Sequence, residues 1–352
     1  MNDLPLGLLE LRVGHRQWNT AFSEAFAILS MASPGDVVCI VGPSRAGKSR
    51  LIGELRRQLE NGNRFDVTGL LPVVAVEAVN AGPNGTFSTK GFTLRMLEAV
   101  RHPMLSLDTG GQHFEVAIEK IERTTENSLR QALERAFRHR GTRYLFIDEA
   151  QHVRYTSRQS MAPCAVMDSW KCLAQASGLV LVVVGAYPIL ELLRNSPHML
   201  GRKKQIHLAR YTESQSDLLE FAKIIRAFEQ VLTGYVADRF LVSQLLFLHH
   251  RTCGCIGLLK GWLTQAMTLA HVRGQQIDLA LLEEAAMPDS EILEIDREIS
   301  EGERLLYCSP SKAESIPNTR QSDGGGKSRR KPFTRSPKRY ERGHRSGDGD
   351  SK

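Results

Sequence analysis

An apolar run, DVVCIV at residues 36–41, ends directly in Gly42-Pro43-Ser44-Arg45-Ala46-Gly47-Lys48-Ser49, and a helical pattern resumes at Lys48. No other feature limits the possible folds as severely. The pattern G-x4-G-K-[ST], set between a buried strand and an amphipathic helix, turns backbone N–H groups toward phosphates at a helix N-terminus. The lysine then reaches the outer phosphates, and the hydroxyl that follows can ligate Mg2+. The expected phosphate-binding residues are Gly42 to Ser49, together with Arg50 just after them.

A second run, Tyr144-Leu145-Phe146-Ile147-Asp148-Glu149, carries four apolar residues into two acids. A strand that delivers Asp148 to the carboxyl edge of a parallel sheet sets it beside the metal, with Ser49 as its companion ligand. Glu149 is then placed to orient and deprotonate the attacking water. Lys48 and Glu149 are the expected catalytic groups, and ATP with Mg2+ the expected cofactors.

Strand and helix signals alternate around these motifs. Helical spacing of Trp18, Phe22, Ala25, Phe26 and Leu29 precedes the loop. Further strands are expected over 71–79, 143–147, 179–184 and 204–208. Helices are expected over 48–59, 92–101, 115–138, 163–176 and 189–193. From Ser214 onward the pattern is helical only, over about 214–231, 238–249, 255–272 and 278–286. The expected fold class is α/β: a parallel sheet flanked by helices, a small helical lid and a basic tail. Expected boundaries are 1–35 for a helical lead-in, 36–210 for the nucleotide-binding core and 211–288 for the lid. An acidic helix at 289–307 and a disordered basic tail at 308–352 complete the chain.

Charge separates the tail from the rest. The 352 residues carry a net +7, and residues 321–352 alone hold ten Lys/Arg against four acids. The basicity is that of a solvated arm, suited to phosphates or to an acidic partner. No apolar stretch approaches the ~20 residues that cross a bilayer. The N-terminus lacks a signal-peptide profile, so a cytosolic protein with no membrane association is expected. His249, His250, Cys253 and Cys255 lack the second ligand pair that structural zinc sites use, which argues against zinc.

One α/β domain followed by a helical lid is similar to the AAA+ arrangement. Asp148-Glu149-Ala150-Gln151-His152 also suits helicases, but no second RecA-like lobe follows. In an AAA+ chain, Arg202, four residues before Ile206 in the last strand, is the candidate finger for a neighbouring subunit's nucleotide, with Lys203 and Arg194 behind it. The strand 179–184 leads into Gly185-Ala186-Tyr187-Pro188, where a polar γ-phosphate sensor is expected. Ala186 cannot serve, which leaves Tyr187. Arg251 and Lys260 are the choices for a second sensor.

Gly254-Cys255-Ile256-Gly257, opening a lid helix, resembles the lid of the TnsC/TniB family of AAA+ ATPases that regulate DNA transposition. The likeness extends over about residues 15–285. It includes DEAQH, a Pro/Thr-containing segment (Pro83–Thr93) before Leu94-x-x-Leu97-x-x-Val100, Val184-Gly185 running into a proline-started helix, and the arginine before the last strand. The resemblance implies a bacterial cytoplasmic ATPase that oligomerises as a ring or filament on double-stranded DNA through sequence-independent backbone contacts. It further implies a link between a target-selector protein and a transposase. Lys90, Arg95, Lys120, Arg123 and Thr124 lie in elements that face the ring axis in that family, and are the candidate DNA contacts. The departures at the two sensors imply slow hydrolysis, used as an assembly switch. A replication-type loader or initiator ATPase, and a signalling or defence NTPase that senses a protein partner, are the alternatives.

Overall fold

A computed structural model describes residue 8, residue 11 and residues 13–62, 65–80, 82, 85–103, 123–156, 162–194 and 203–307. Five parallel strands form one sheet: β1 (Val37–Val41), β2 (Val73–Glu77), β3 (Tyr144–Asp148), β4 (Val180–Gly185) and β5 (Lys203–His207), in the order β2-β3-β4-β1-β5. Central strands of a sheet covered on both faces read as continuous apolar runs, and β1 and β4 are buried at every position. Side chains alternate between the faces. Val37, Cys39 and Val41 join a core with Leu133, Phe137, Trp170 and Leu181. Val38 and Ile40 pack with Ala25, Leu29, Leu51 and Leu55 on the other side.

The second face is closed by α1 (Arg16–Ser30) and α2 (Lys48–Glu60). The first is closed by α4 (Thr89–Ala99), α5 (Glu126–His139) and α6 (Pro163–Ser177). A four-residue helix α3 (Phe65–Thr68) and a 3-10 turn at Ala150–Tyr155 carry no apolar period and were not foreseen in the sequence. Helix α4 starts at Thr89, before the expected 92, because the Ser88 hydroxyl accepts from the Gly91 N–H at 3.1 Å. Helix α5 starts at Glu126, where Thr125 caps the Ser128 N–H at 3.2 Å; residues 115–122 lie outside the described residues. A six-residue helix α7 (Ile189–Arg194) follows β4.

The lid consists of α8 (Gln215–Val231), α9 (Phe240–Ser243), α10 (Leu245–Arg251), α11 (Ile256–Arg273) and α12 (Leu279–Glu284) around Phe221, Phe228, Leu248, Leu263 and Met267. The expected helix 238–249 is broken at Gln244, which leaves the helical conformation at φ −93°, ψ 20°. Helix α13 (Asp289–Tyr307) spans the expected acidic helix and packs back onto the core with Ile292 and Ile299. Arg210, just after β5, binds Glu303 through two nitrogens at 3.1 and 3.0 Å and Asp296 at 2.9 Å. No described helix is long and apolar enough to cross a membrane. Residues 308–352 lie outside the described residues.

Candidate functional site

The loop between β1 and α2 is built by two glycines that tolerate nothing larger. A Cβ on Gly42 would sit 2.5 Å from the Leu208 carbonyl oxygen, and Gly47 takes φ 97°, which side chains resist. Gly47 is also the N-cap of α2, so the free N–H groups of a 13-residue helix open toward the loop. Inside it, the buried Lys48 ammonium donates to the Gly42 and Pro43 carbonyls at 3.1 and 2.8 Å. Desolvation lowers its pKa, opposed by the Glu149, Asp148 and Glu298 carboxylates.

The two motifs meet. Ser49 Oγ donates to Asp148 Oδ2 at 2.7 Å, across 99 residues of sequence. Asp148 Oδ1 accepts the Glu149 N–H at 2.9 Å and so holds Glu149 in the left-handed region at φ 51°. Ala150 is buried, Gln151 donates to Glu149 Oε2 and accepts from the Ala186 N–H, and His152 reaches the Ala78 carbonyl at 2.7 Å. The acidic motif is thereby tied to α2, β4 and the end of β2 at once.

The glycine-lined cradle, the buried lysine and the adjacent Ser49 and Asp148 oxygens suit a polyphosphate with Mg2+, a cation that prefers few protein oxygens beside phosphates. Next to the loop lies a cavity of about 720 Å3, walled by Leu11, Val13, Trp18, Ile256 and Lys260. Its apolar walls, together with the buried and unpartnered Trp18 Nε1, fit the base and sugar of a nucleotide. Lys260 donates to the Leu11 carbonyl at 3.1 Å, and the Arg50 guanidinium stands 4.9 Å over the Trp18 ring. His15, in the same wall, has its pKa lowered to about 4 by burial and then by Arg50. Apart from Lys260, sequence reasoning missed this wall, because its residues come from the lead-in and the lid and share no motif.

The lid's opening segment turns on two glycines, and the second of them meets the loop. Gly254 takes φ 68°, and a Cβ there would lie 1.9 Å from the Tyr211 oxygen. A Cβ on Gly257 would lie 1.9 Å from the Arg45 oxygen, and one on Gly261 would meet Arg45 Nη1 at 3.5 Å. Arg45, at φ 61°, thus carries the loop's contact with α11. Ser44, Arg45, Ser49 and Arg50 are exposed along the loop; Pro43 is buried and Ala46 half-buried.

Other expected residues fall variously. The Tyr187 hydroxyl is engaged by His207 Nε2 at 2.9 Å within the fold, and Ala186 offers only its backbone. Arg251 pairs with Asp289, turned toward α13, whereas Lys260 stands at the cavity. Arg202 and Lys120 lie outside the described residues. Arg194 binds the Leu305 carbonyl, and Lys203 begins β5 beside Val37. Lys90 and Arg95 sit half-buried on α4, roughly 140° apart around its axis. Arg123 is exposed and Thr124 half-buried just before α5, which packs on α4. His249 Nε2 bonds the Tyr211 carbonyl at 2.9 Å, and no described group of three His, Cys, Asp or Glu is disposed to hold a metal.

Residues 32–193 match the family model described as AAA domain. The Walker-type ATPase PABY2304 of Pyrococcus abyssi shares the fold at 14% identity and TM-score 0.50, over 84% of this chain and 78% of that one. The ORC2 protein of Aeropyrum pernix in its ADP form aligns at 16% identity and TM-score 0.52, over 76% of this chain and 66% of that one. In its ADPNP–ADP complexes the same protein aligns at 16% identity and TM-score 0.50, over 78% and 68%. No curated protein matches. Sheet order, loop and likenesses agree on the AAA+ P-loop NTPase fold.

Proposed function

We propose that this chain, with an AAA-type P-loop ATPase domain over residues 32–193, uses ATP to control its assembly on duplex DNA. The observation that carries the reading is the Ser49–Asp148–Glu149 arrangement set against the buried Lys48 and closed over by the lid at Gly257. Such a site binds a nucleoside triphosphate where the lid meets the core, so the bound nucleotide is in a position to hold the two together. Lys48 binds the outer phosphates, Ser49 and Asp148 hold Mg2+, and Glu149 takes the proton of the attacking water. Mg2+ supplies charge neutralisation at the phosphates when bound. A finger arginine from a neighbouring subunit, with Arg202 as the candidate, would make turnover depend on assembly.

Two tasks share this chemistry. A replication initiator or loader is supported by the fold held in common with the ORC2 protein in its ADP and ADPNP forms. A transposition regulator, passing a chosen site from a target selector to a transposase, is supported by the TnsC/TniB-like residues, above all Gly254-Cys255-Ile256-Gly257. The comparisons with solved structures favour the initiator class. In both, Lys90, Arg95, Lys120, Arg123, Thr124 and the basic tail are candidates for sequence-independent phosphate contacts.

Binding of the purified chain to random-sequence duplex, with ADPNP or ADP and across a salt series, tests the reading. Affinity that needs ADPNP and falls steeply with salt is expected. Nucleotide-independent or absent DNA binding would leave an NTPase that senses a protein partner. A strong preference for one duplex sequence would separate the initiator task from the transposition task.

A further inference from the structure

At the end of β4, Ala186 stands where a sensor belongs, and the Tyr187 hydroxyl is spent on His207. Gln151, which no part of the reaction above uses, enters this gap from the acidic motif. Its carboxamide is engaged at both ends. Nε2 donates to Glu149 Oε2, and Oε1 accepts from the Ala186 N–H at 3.1 Å. A backbone N–H can only donate, so the oxygen must face Ala186 and the nitrogen must face the carboxylate. The orientation of the amide is therefore forced by its partners. A third observation is steric. A Cβ on Gly185 would lie 2.4 Å from Gln151 Oε1, so β4 has to end in glycine for the amide to reach the strand.

We infer that Gln151 is the positioning residue for Glu149: a strut that pins one carboxylate oxygen to the end of β4 and leaves the other for the attacking water. This rests on Glu149 acting as the base. In that step a water oxygen bonds to the γ-phosphorus, the bond to the bridging oxygen of ADP breaks, and the water proton passes to the unpinned Glu149 oxygen. Glu149 occupies the strained left-handed region at φ 51°, and the Gln151 amide fixes the position of its carboxylate. The link also ties the base to β4, the central strand of the sheet.

Steady-state turnover of MgATP by the full chain tests the strut, with Gln151→Ala, Gln151→Asn, Gly185→Ala and the Gln151→Ala/Gly185→Ala double variant. Each single variant is expected to lower kcat about tenfold or more and to leave KM within about twofold, as misplacement of a catalytic group does. Gln151→Asn keeps the amide but is one methylene too short to span both partners, so it guards against a folding artefact in the alanine variant. In the double variant the methyl has nothing to displace, so kcat should fall no lower than in Gln151→Ala alone. Hydrogen exchange at the Ala186 amide should accelerate in Gln151→Ala, a readout that needs no turnover. Unchanged kcat, full additivity of the two substitutions, or an Ala186 amide indifferent to Gln151 would overturn the inference. Wild-type turnover that survives Glu149→Gln would instead remove Glu149 as the base, and the Ala186 exchange would then decide the strut alone.

Discussion

Lys48 shows how much of the site's behaviour lies in single side chains. Buried and bonded to its own loop's carbonyls, it is desolvated before any phosphate arrives, and the nearby carboxylates oppose that effect. Replacing the Gly42 and Pro43 carbonyls by phosphate oxygens exchanges neutral acceptors for charged ones, which roughly doubles the strength of each hydrogen bond. Lys48→Ala should therefore raise the Kd for ATP at least about a hundredfold, losing about 3 kcal/mol or more. Isothermal titration checks this, and nucleotide affinity within a few-fold of wild type would contradict it. Glu149→Gln should bind ATP normally, lose turnover and accumulate in the assembled state. Disassembly at the wild-type rate, followed by light scattering after ATP is added, would contradict that role.

At the scale of elements, the lid segment was legible as a resemblance, but its physical reason was not. Gly254 and Gly257 are required because the Tyr211 and Arg45 carbonyl oxygens lie where side chains would stand, a long-range contact that no local pattern reveals. Gly257→Ala should push α11 off the loop and weaken ATP binding about tenfold or more, while leaving the isolated folds of core and lid intact. Equal affinity in the variant, measured by titration, would show that the loop and lid do not close on each other. The lead-in helix adds a pH dependence. His15 caps α1 by accepting the Trp18 N–H, and its ring nitrogen also meets the Tyr211 hydroxyl at 3.2 Å. With its pKa lowered from 6.5 to about 4, the unfolded chain binds more protons between those values. The stability it contributes is complete above about pH 6.5 and is lost as pH falls toward 4. The apo unfolding midpoint should fall over that window, and His15→Asn, which caps without titrating there, should flatten the slope. An unaltered pH profile would refute the assignment.

The strands, the loop and the acidic pair were readable because each is set by local periodicity or by one motif with a fixed geometry. The cavity wall, the Gln151 bridge and the docking of α13 were not, since each joins residues far apart in the chain. The helix expected at 238–249 failed for a related reason. Its apolar period continues through Gln244, while the break there serves lid packing around Leu241 and Leu248.

For the whole molecule, α13 is the unexpected organiser. It returns from the lid to the core, closes over Tyr187 at Gly302, and sequesters Arg210 with Glu303 and Asp296. Glu303→Ala leaves a half-buried arginine short of two charge-assisted bonds. It should lower the unfolding midpoint by about 2–4 °C for each kcal/mol lost. An unchanged midpoint would mean that α13 is held by its other contacts, Ile292 and Ile299 among them. The tail acts differently. Because most of the net +7 lies in residues 321–352, removing 308–352 should leave ATP affinity intact and reduce both DNA affinity and its salt dependence.

Nucleotide-controlled assembly on DNA can be seen directly. Electron microscopy of the full chain with random duplex DNA and ADPNP should show rings or a protein helix around the duplex, absent with ADP and absent for Lys48→Ala. Monomers under all three conditions, or assemblies indifferent to the nucleotide, would contradict it.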